Sequence, residues 1–584
     1  GEVYAHTGIS TNQNADQEWK CVKNNWPTES SFTGNRDDTQ LTQVQGEPNR
    51  YRLEIDDIRA FYQDTSTSCS LGENEEIETM NFVFRNADGS KEGKADGGAD
   101  IFVDVVDVSG QGPVVETNIT QPTGNPPLYP FMVAQDTTVT VSVSSTTANI
   151  DSLIEVRLFV DGSQVATSTE ESLSYGLAMD TPNRYTLRAE TEAASGDSTI
   201  TASASAELIR TPNVVDEPRP AGVQSGINYN SDGSVTLSLY APNKDFVYAI
   251  GDFTDWEIDS NYFMKRHQVT PDSTHWWVTI DNLSAGQQYA YQYFVDGELR
   301  LGDPFSHKVL SPQDQYLDGP SLGFEGPLKS YPGNETENLV SVLEPGQEDF
   351  NFSSFTPPDR SEMVIYELLL RDFVQNNSYA TLTDTLDYLD DLGVNAIELM
   401  PVSNFGGNIS WGYNPNFHMA LDKAYGPPED LKQFVEAAHQ RGIAVILDVV
   451  YNHATSQSPL VQMYGTSDEN PWLNVPASSP FSVFNQLNHA SPFVKEYIDR
   501  ANTYWLEEFN VDGFRFDLSK GFISGQPTNP NGYQQQRINN IQRIADHIWD
   551  NVDSEAYVIL EHFGVPEEEQ ALSSYRANDT GGMM

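Results

Sequence analysis

Val511-Asp-Gly-Phe-Arg-Phe-Asp-Leu-Ser-Lys520 is an apolar stretch with a cation and an acid at its end. An acid that closes an apolar strand is either desolvated or faces an open cleft. Two further segments share the pattern, Ile446-Leu-Asp-Val-Val-Tyr-Asn-His453 and Tyr557-Val-Ile-Leu-Glu-His562. Around them, from about residue 363, apolar stretches (363–370, 396–400, 444–450, 513–517, 557–560) alternate with amphipathic ones (near 382–392, 429–441, 493–509, 535–550). Strand–helix alternation of this kind predicts a parallel sheet. Strands apolar along their whole length are buried on both faces and carry chemistry at their C-terminal ends. Residues 454–489 break the rhythm after the third strand and read as an inserted lobe.

Barrel geometry would bring the three acids to one mouth however far apart they lie in sequence. Cleavage of a glycosidic bond needs one carboxylate and one carboxylic acid across that bond. Toward the N-terminus the pattern becomes all-β. Short alternating runs such as Asn81-Phe-Val-Phe-Arg85 and Ile154-Glu-Val-Arg-Leu-Phe-Val160 are separated by Asp-Gly turns and by Pro-rich linkers at 121–127 and 211–222. The reading is three β-sandwich domains (1–120, 121–211 and 212–330) followed by a catalytic barrel over 331–584. The second resembles an immunoglobulin-like sandwich.

Asp and Glu total 85 against 32 Lys and Arg, a net charge of −53. Such a surface repels nucleic acid and anionic lipid and leaves a neutral polymer unaffected. No apolar run is long enough to span a bilayer. The two cysteines, Cys21 and Cys69, form either one disulfide, as in an exported protein, or two buried thiols. With Gly1 in place of Met, the expectation is a secreted or cell-surface protein after removal of a signal peptide.

The ordered set Asp448-Val-Val-Tyr-Asn-His453, Gly513-Phe-Arg-Phe-Asp517 and Leu560-Glu561, with Trp411-Gly-Tyr-Asn-Pro415, resembles the conserved regions of the α-amylase family, glycoside hydrolase family 13. The resemblance implies a (β/α)8 barrel and retaining hydrolysis of α-1,4-glucans. Alternatives are α-1,6 debranching, glucan transfer, or a starch-binding surface protein without catalysis. It makes Asp517 the nucleophile and Glu561 the acid/base. Arg515 would keep Asp517 ionised, Asp448 and His453 would hydrogen-bond the sugar, and Tyr413 would stack on it. Lys520 would bind on the leaving-group side, although the histidine that often follows it is Gly521 here. Asn452 matches an asparagine that binds structural calcium; no organic cofactor is implied. The family also needs a third acid, an Asp preceded by His, which 562–584 lack. The expectation is therefore a barrel truncated after about strand five, and an inactive fragment. Residues 223–322 resemble carbohydrate-binding module family 48 through Gly251-Asp-Phe-Thr-Asp-Trp256, with Trp256 or Trp277 as sugar platforms. Residues 1–120 faintly resemble starch-binding modules, through 82–89 followed by Gly97-Gly98, with Trp19, Trp26 and Tyr62 as candidate platforms.

Overall fold

In a computed structural model the structure describes residues 2–12, 19–27, 32, 34–43, 51–53, 55, 57–63, 69, 71–72, 75–94, 100–105, 112–123, 128–317, 329–478, 480–481, 483–578 and 582–584. Gly97-Gly98 and positions 124–127 of the first linker lie outside these residues.

The C-terminal region is built on five parallel strands paired in sequence order: β1 (Ile365–Leu368), β2 (Ala396–Leu399), β3 (Ala444–Val449), β4 (Gly513–Phe516) and β5 (Tyr557–Leu560). Every residue of β2 and β3 is buried, as strands covered on both faces must be. At the outer edge of β5 the Met584 N–H donates to Val558 O, and Leu560 N–H donates to Met584 O. Gly513 is required where β4 meets β5. Its φ is +152°, and a Cβ there would lie 2.3 Å from Tyr557 O.

Helices cover the sheet: α1 (Pro428–His439), α2 (Pro492–Phe509), α3 (Gln535–Asn551) and α4 (Pro566–Ser573). Three of them begin with proline, whose missing N–H costs nothing in the first turn. Helix α2 stops at Asn510, which takes the left-handed conformation (φ 53°). Its buried face carries Val494, Tyr497, Ile498, Ala501, Trp505 and Phe509, the three-and-four spacing of a core stripe. The 454–489 lobe is tied back by a short bridge of His453–Ala454 to Asn485–Gln486.

Two of the sequence boundaries move. The strand Val114–Gln121, placed in the first domain by the cut at 120, pairs with Thr137–Ala148 and belongs to the second sandwich. The strand Val340–Leu343, placed in the barrel by the cut at 330, pairs with Tyr289–Val295 and Val309–Leu310 and completes the third module. In both cases the partner is distant in sequence, so a local composition shift does not reveal it. The first domain is also not a sandwich among the described residues. Its strands join one seven-stranded sheet, with Cys21 and Cys69 bonded beside it.

The third module is packed on the parallel-sheet region. Tyr240 stacks on Phe493 of α2 with ring centroids 3.7 Å apart, Tyr497 OH donates to Pro304 O at 3.1 Å, and Tyr464 OH donates to Pro242 O at 2.6 Å. Neither tryptophan expected to serve as a sugar platform is available. Trp256 and Trp277 are buried and spend their indole N–H groups on Asp252 Oδ1 and Glu217 O. Tyr62 is buried too, bonded to Thr7. No helix among the described residues is long and apolar enough to cross a membrane.

Candidate active site

The C-terminal ends of β2 to β5 deliver their acids to one guanidinium. Arg515 Nη1 lies 3.0 Å from both oxygens of Asp448 and 2.8 Å from Asp517 Oδ1. Its Nη2 lies 3.3 Å from Glu561 Oε2, and its Nε lies 3.9 Å from Glu398 Oε1. Strand pleat explains the convergence: residues 515 and 517 share one face of β4, and Arg515 is in register with Asp448.

Charge balance sets the protonation. Burial disfavours the Arg515 cation, but Asp448, Glu561 and Asp517 outweigh that and hold it above its ordinary range. Two opposing effects act on Asp517. Burial pushes the Asp517 carboxyl up to about 6, the Glu561 charge adds to this, and Arg515 offsets only part of it. Asp448 has no exposed side-chain surface, and burial raises it to about 8 against the pull of Arg515 and the Tyr413 hydroxyl. Glu398 is raised by burial and by the like charge of Glu367.

The Asp448 shift has a measurable sign. A folded value above the unfolded one means that its contribution to stability is full below about 3.8 and is lost as pH rises through about 8. Asp448→Asn cannot ionise. Its melting temperature should exceed that of the parent at pH 8.5, with a gap that narrows steadily toward pH 5 in differential scanning calorimetry. A gap independent of pH would contradict this.

Tyr413 OH donates to Asp448 Oδ2 at 2.7 Å. His453 Nε2 lies 2.9 Å from Tyr413 O, so the two aromatic groups expected at the sugar are joined to each other, and Tyr413 to Asp448. Lys520 Nζ donates to Phe563 O at 2.8 Å, which places it across the loop that follows Glu561.

Among the described residues Asn452 does not assemble a calcium site. Its Oδ1 is buried without a hydrogen-bond partner, which taken alone would suit a cation. However, a Cβ on Gly521 would fall 1.8 Å from that oxygen, so the Gly521 backbone fills the space in front of it. The amide nitrogen points to Phe481 O at 3.2 Å. Among the described residues Glu367, Glu398 and Asp448 form one close group of acids, at the strand ends, where Arg515 supplies the positive charge.

Sequence reasoning missed two parts of this site. The first is Glu398 with Glu367, whose signal is an acid inside an otherwise apolar strand. The second is a brace. Leu518 sits in the left-handed region (φ 45°), unusual for a branched residue, and its N–H donates to Glu561 Oε2 at 2.9 Å. Ser519 N and Oγ both donate to Glu561 O at 3.0 Å. Ser519 Oγ also meets His562 Nδ1 at 2.9 Å, and His562 Nε2 meets Glu568 Oε1 at 3.0 Å. Glu568 pairs with Arg537, both fully buried, and Arg537 Nη1 returns to Lys520 O at 2.8 Å. The turn after Asp517 and the strand end bearing Glu561 are thus locked to each other. His562→Ala should lower turnover by about 10²-fold, the cost of roughly 1 Å of misplacement, with oligosaccharide affinity unchanged by calorimetry. Unchanged turnover would remove the brace from the account.

A family model described as alpha amylase, catalytic domain, matches residues 376–474. Over 267 residues the chain is 31% identical to malto-oligosyltrehalose trehalohydrolase of Saccharolobus solfataricus, covering 46% of this chain and 41% of that protein. Over 360 residues it is 34% identical to a chloroplastic isoamylase of Zea mays, covering 53% and 43%. The chain spans less than half the length of these curated relatives. Among solved structures, a pullulanase of Anoxybacillus sp. LM18-11 complexed with maltotriose is similar at 20% identity and a TM-score of 0.44, over 74% of this chain and 62% of that one.

Proposed function

We propose that the parallel-sheet region of this chain, which matches the α-amylase catalytic-domain model over residues 376–474, cleaves α-glucans outside the cell by double displacement at Asp517 and Glu561. The observation that carries the reading is the single guanidinium of Arg515 shared by Asp448, Asp517 and Glu561. Two carboxyls held on one cation stand close together, which suits a nucleophile and an acid rather than a pair separated by a water.

Asp517 attacks the anomeric carbon while Glu561 gives its proton to the departing glycosidic oxygen. A glycosyl ester forms on Asp517. Glu561, now a carboxylate, takes a proton from the incoming water, the new C–O bond forms, and the ester breaks to free Asp517. Arg515 orients Asp517 and balances its charge throughout. Asp448, which has no exposed side-chain surface, anchors Tyr413 and Arg515 beside the reacting sugar. α-1,4-Glucans are the first substrate class to test. Release of reducing ends from amylose, compared with pullulan, separates α-1,4 from α-1,6 cleavage. Starch binding without turnover by either polymer would favour a binding protein.

The nucleophile must be ionised to attack. Since burial lifts Asp517 to about 6, kcat/KM should fall below about pH 6, by about tenfold per unit. An acid limb centred near pH 4 would contradict the buried nucleophile.

A further inference from the structure

Helix α2 also faces the seam between the third β module and the catalytic region. A groove of about 660 Å³ opens there, bordered by Gln224 and His307 from the module side and by Lys495, Glu496 and Tyr504 from α2. It shares no residue with the cleft at the strand ends. Its volume lies in the range of pockets that hold small organic ligands, about 300–1,000 Å³.

These five polar side chains form no hydrogen bond to protein among the described residues. Their neighbours are committed. Arg500 Nη1 donates to Ser225 O and its guanidinium lies over Phe305, while Asp499 is held by Arg543 at 2.7 and 2.8 Å. His307 is stacked on Tyr504 with ring centroids 3.9 Å apart, and burial lowers its pKa to about 3. It is therefore neutral at working pH and offers one donor and one acceptor. Gln224 and Tyr504 likewise both donate and accept. Lys495 and Arg500 bring two positive charges to the lining, and Glu496 and Asp499 bring two negative ones. An anion would face those carboxylates, and a cation would face the ammonium. A neutral ligand whose hydroxyls both donate and accept satisfies all five groups, and Met419 and Pro492 supply apolar surface for a ring face.

We propose that this seam groove is a second carbohydrate site, holding one or two rings of a neutral oligosaccharide away from the catalytic cleft. That the sugar is an α-glucan rests on the function proposed above. The test is a maltotetraose titration of the 584-residue chain carrying Asp517→Asn, read by hydrogen–deuterium exchange. Peptides over 304–310 and 492–506 should exchange at least threefold more slowly when saturated. Glu496→Ala and Gln224→Ala, both at exposed positions, should each abolish that protection while protection at 446–453 and 513–518 persists. A protected cleft with an unprotected seam overturns the inference, as does seam protection that survives both substitutions. A protected seam with an unprotected cleft would instead count against the catalytic reading.

Discussion

In a protein that also carries the third acid the family needs, Asp517→Asn should lower kcat by about four orders of magnitude or more while leaving substrate affinity nearly unchanged. The amide preserves the shape of the carboxyl, so the strand end and its contact with Arg515 Nη1 at 2.8 Å keep a partner. What is lost is the ability to form the ester, and losing a nucleophile costs on this scale because the remaining groups cannot replace it. Asp517→Gly extends the argument. It removes the side chain and leaves room for a small external nucleophile. Added azide should restore partial turnover and give a glycosyl azide of inverted configuration at the anomeric carbon. Azide without effect, together with an Asn variant above about a tenth of parental activity, would place the nucleophile elsewhere.

The second large effect is on folding. Arg515→Met should destabilise the catalytic region by about 3–5 kcal/mol, the usual cost of breaking a buried ion pair from one side. Asp448, Asp517 and Glu561 would each lose a contact of 3.3 Å or less, and Asp448 has no exposed side-chain surface through which water could compensate. For a region of this size that corresponds to roughly 10 °C in Tm. The deficit should shrink as pH falls, because the stranded carboxylates can take up protons. Arg515→Lys should recover only part of the loss, since a point charge cannot bridge several carboxylates as a planar guanidinium does. Melting curves at pH 5 and pH 8 test both statements. An Arg515→Met deficit that does not depend on pH would mean that the three acids are not what the guanidinium neutralises.

Much of the catalytic region was legible because its signals are local. Apolar runs such as Ala444–Val449 and the helical stripe of α2 each declare their element within a few residues. Asp448, Arg515, Asp517 and Glu561 were found because an acid or a cation at the end of an apolar strand is a local anomaly. What stayed hidden depends on distance in sequence. Val340–Leu343 looks like any short apolar run until Tyr289–Val295 lies beside it. Trp256 and Trp277 have the composition of sugar platforms, but exposure belongs to the packed module and not to the residue type. The brace through His562, Glu568 and Arg537 joins groups 6 and 31 positions apart, with no motif to announce it. The Asp517 pKa depends on both kinds of signal. The stabilising neighbour, Arg515, is visible two residues away, whereas the burial that outweighs it is a property of the fold.

Trapping the glycosyl ester tests the catalytic assignment at its root. The enzyme is incubated with an activated fluorosugar of the α-gluco series, which slows the second step more than the first, then digested and sequenced by mass spectrometry. The structure predicts one added sugar mass on the peptide spanning 513–520, localised to Asp517. A label on any other carboxylate, or unlabelled enzyme that releases product of inverted configuration, would contradict it.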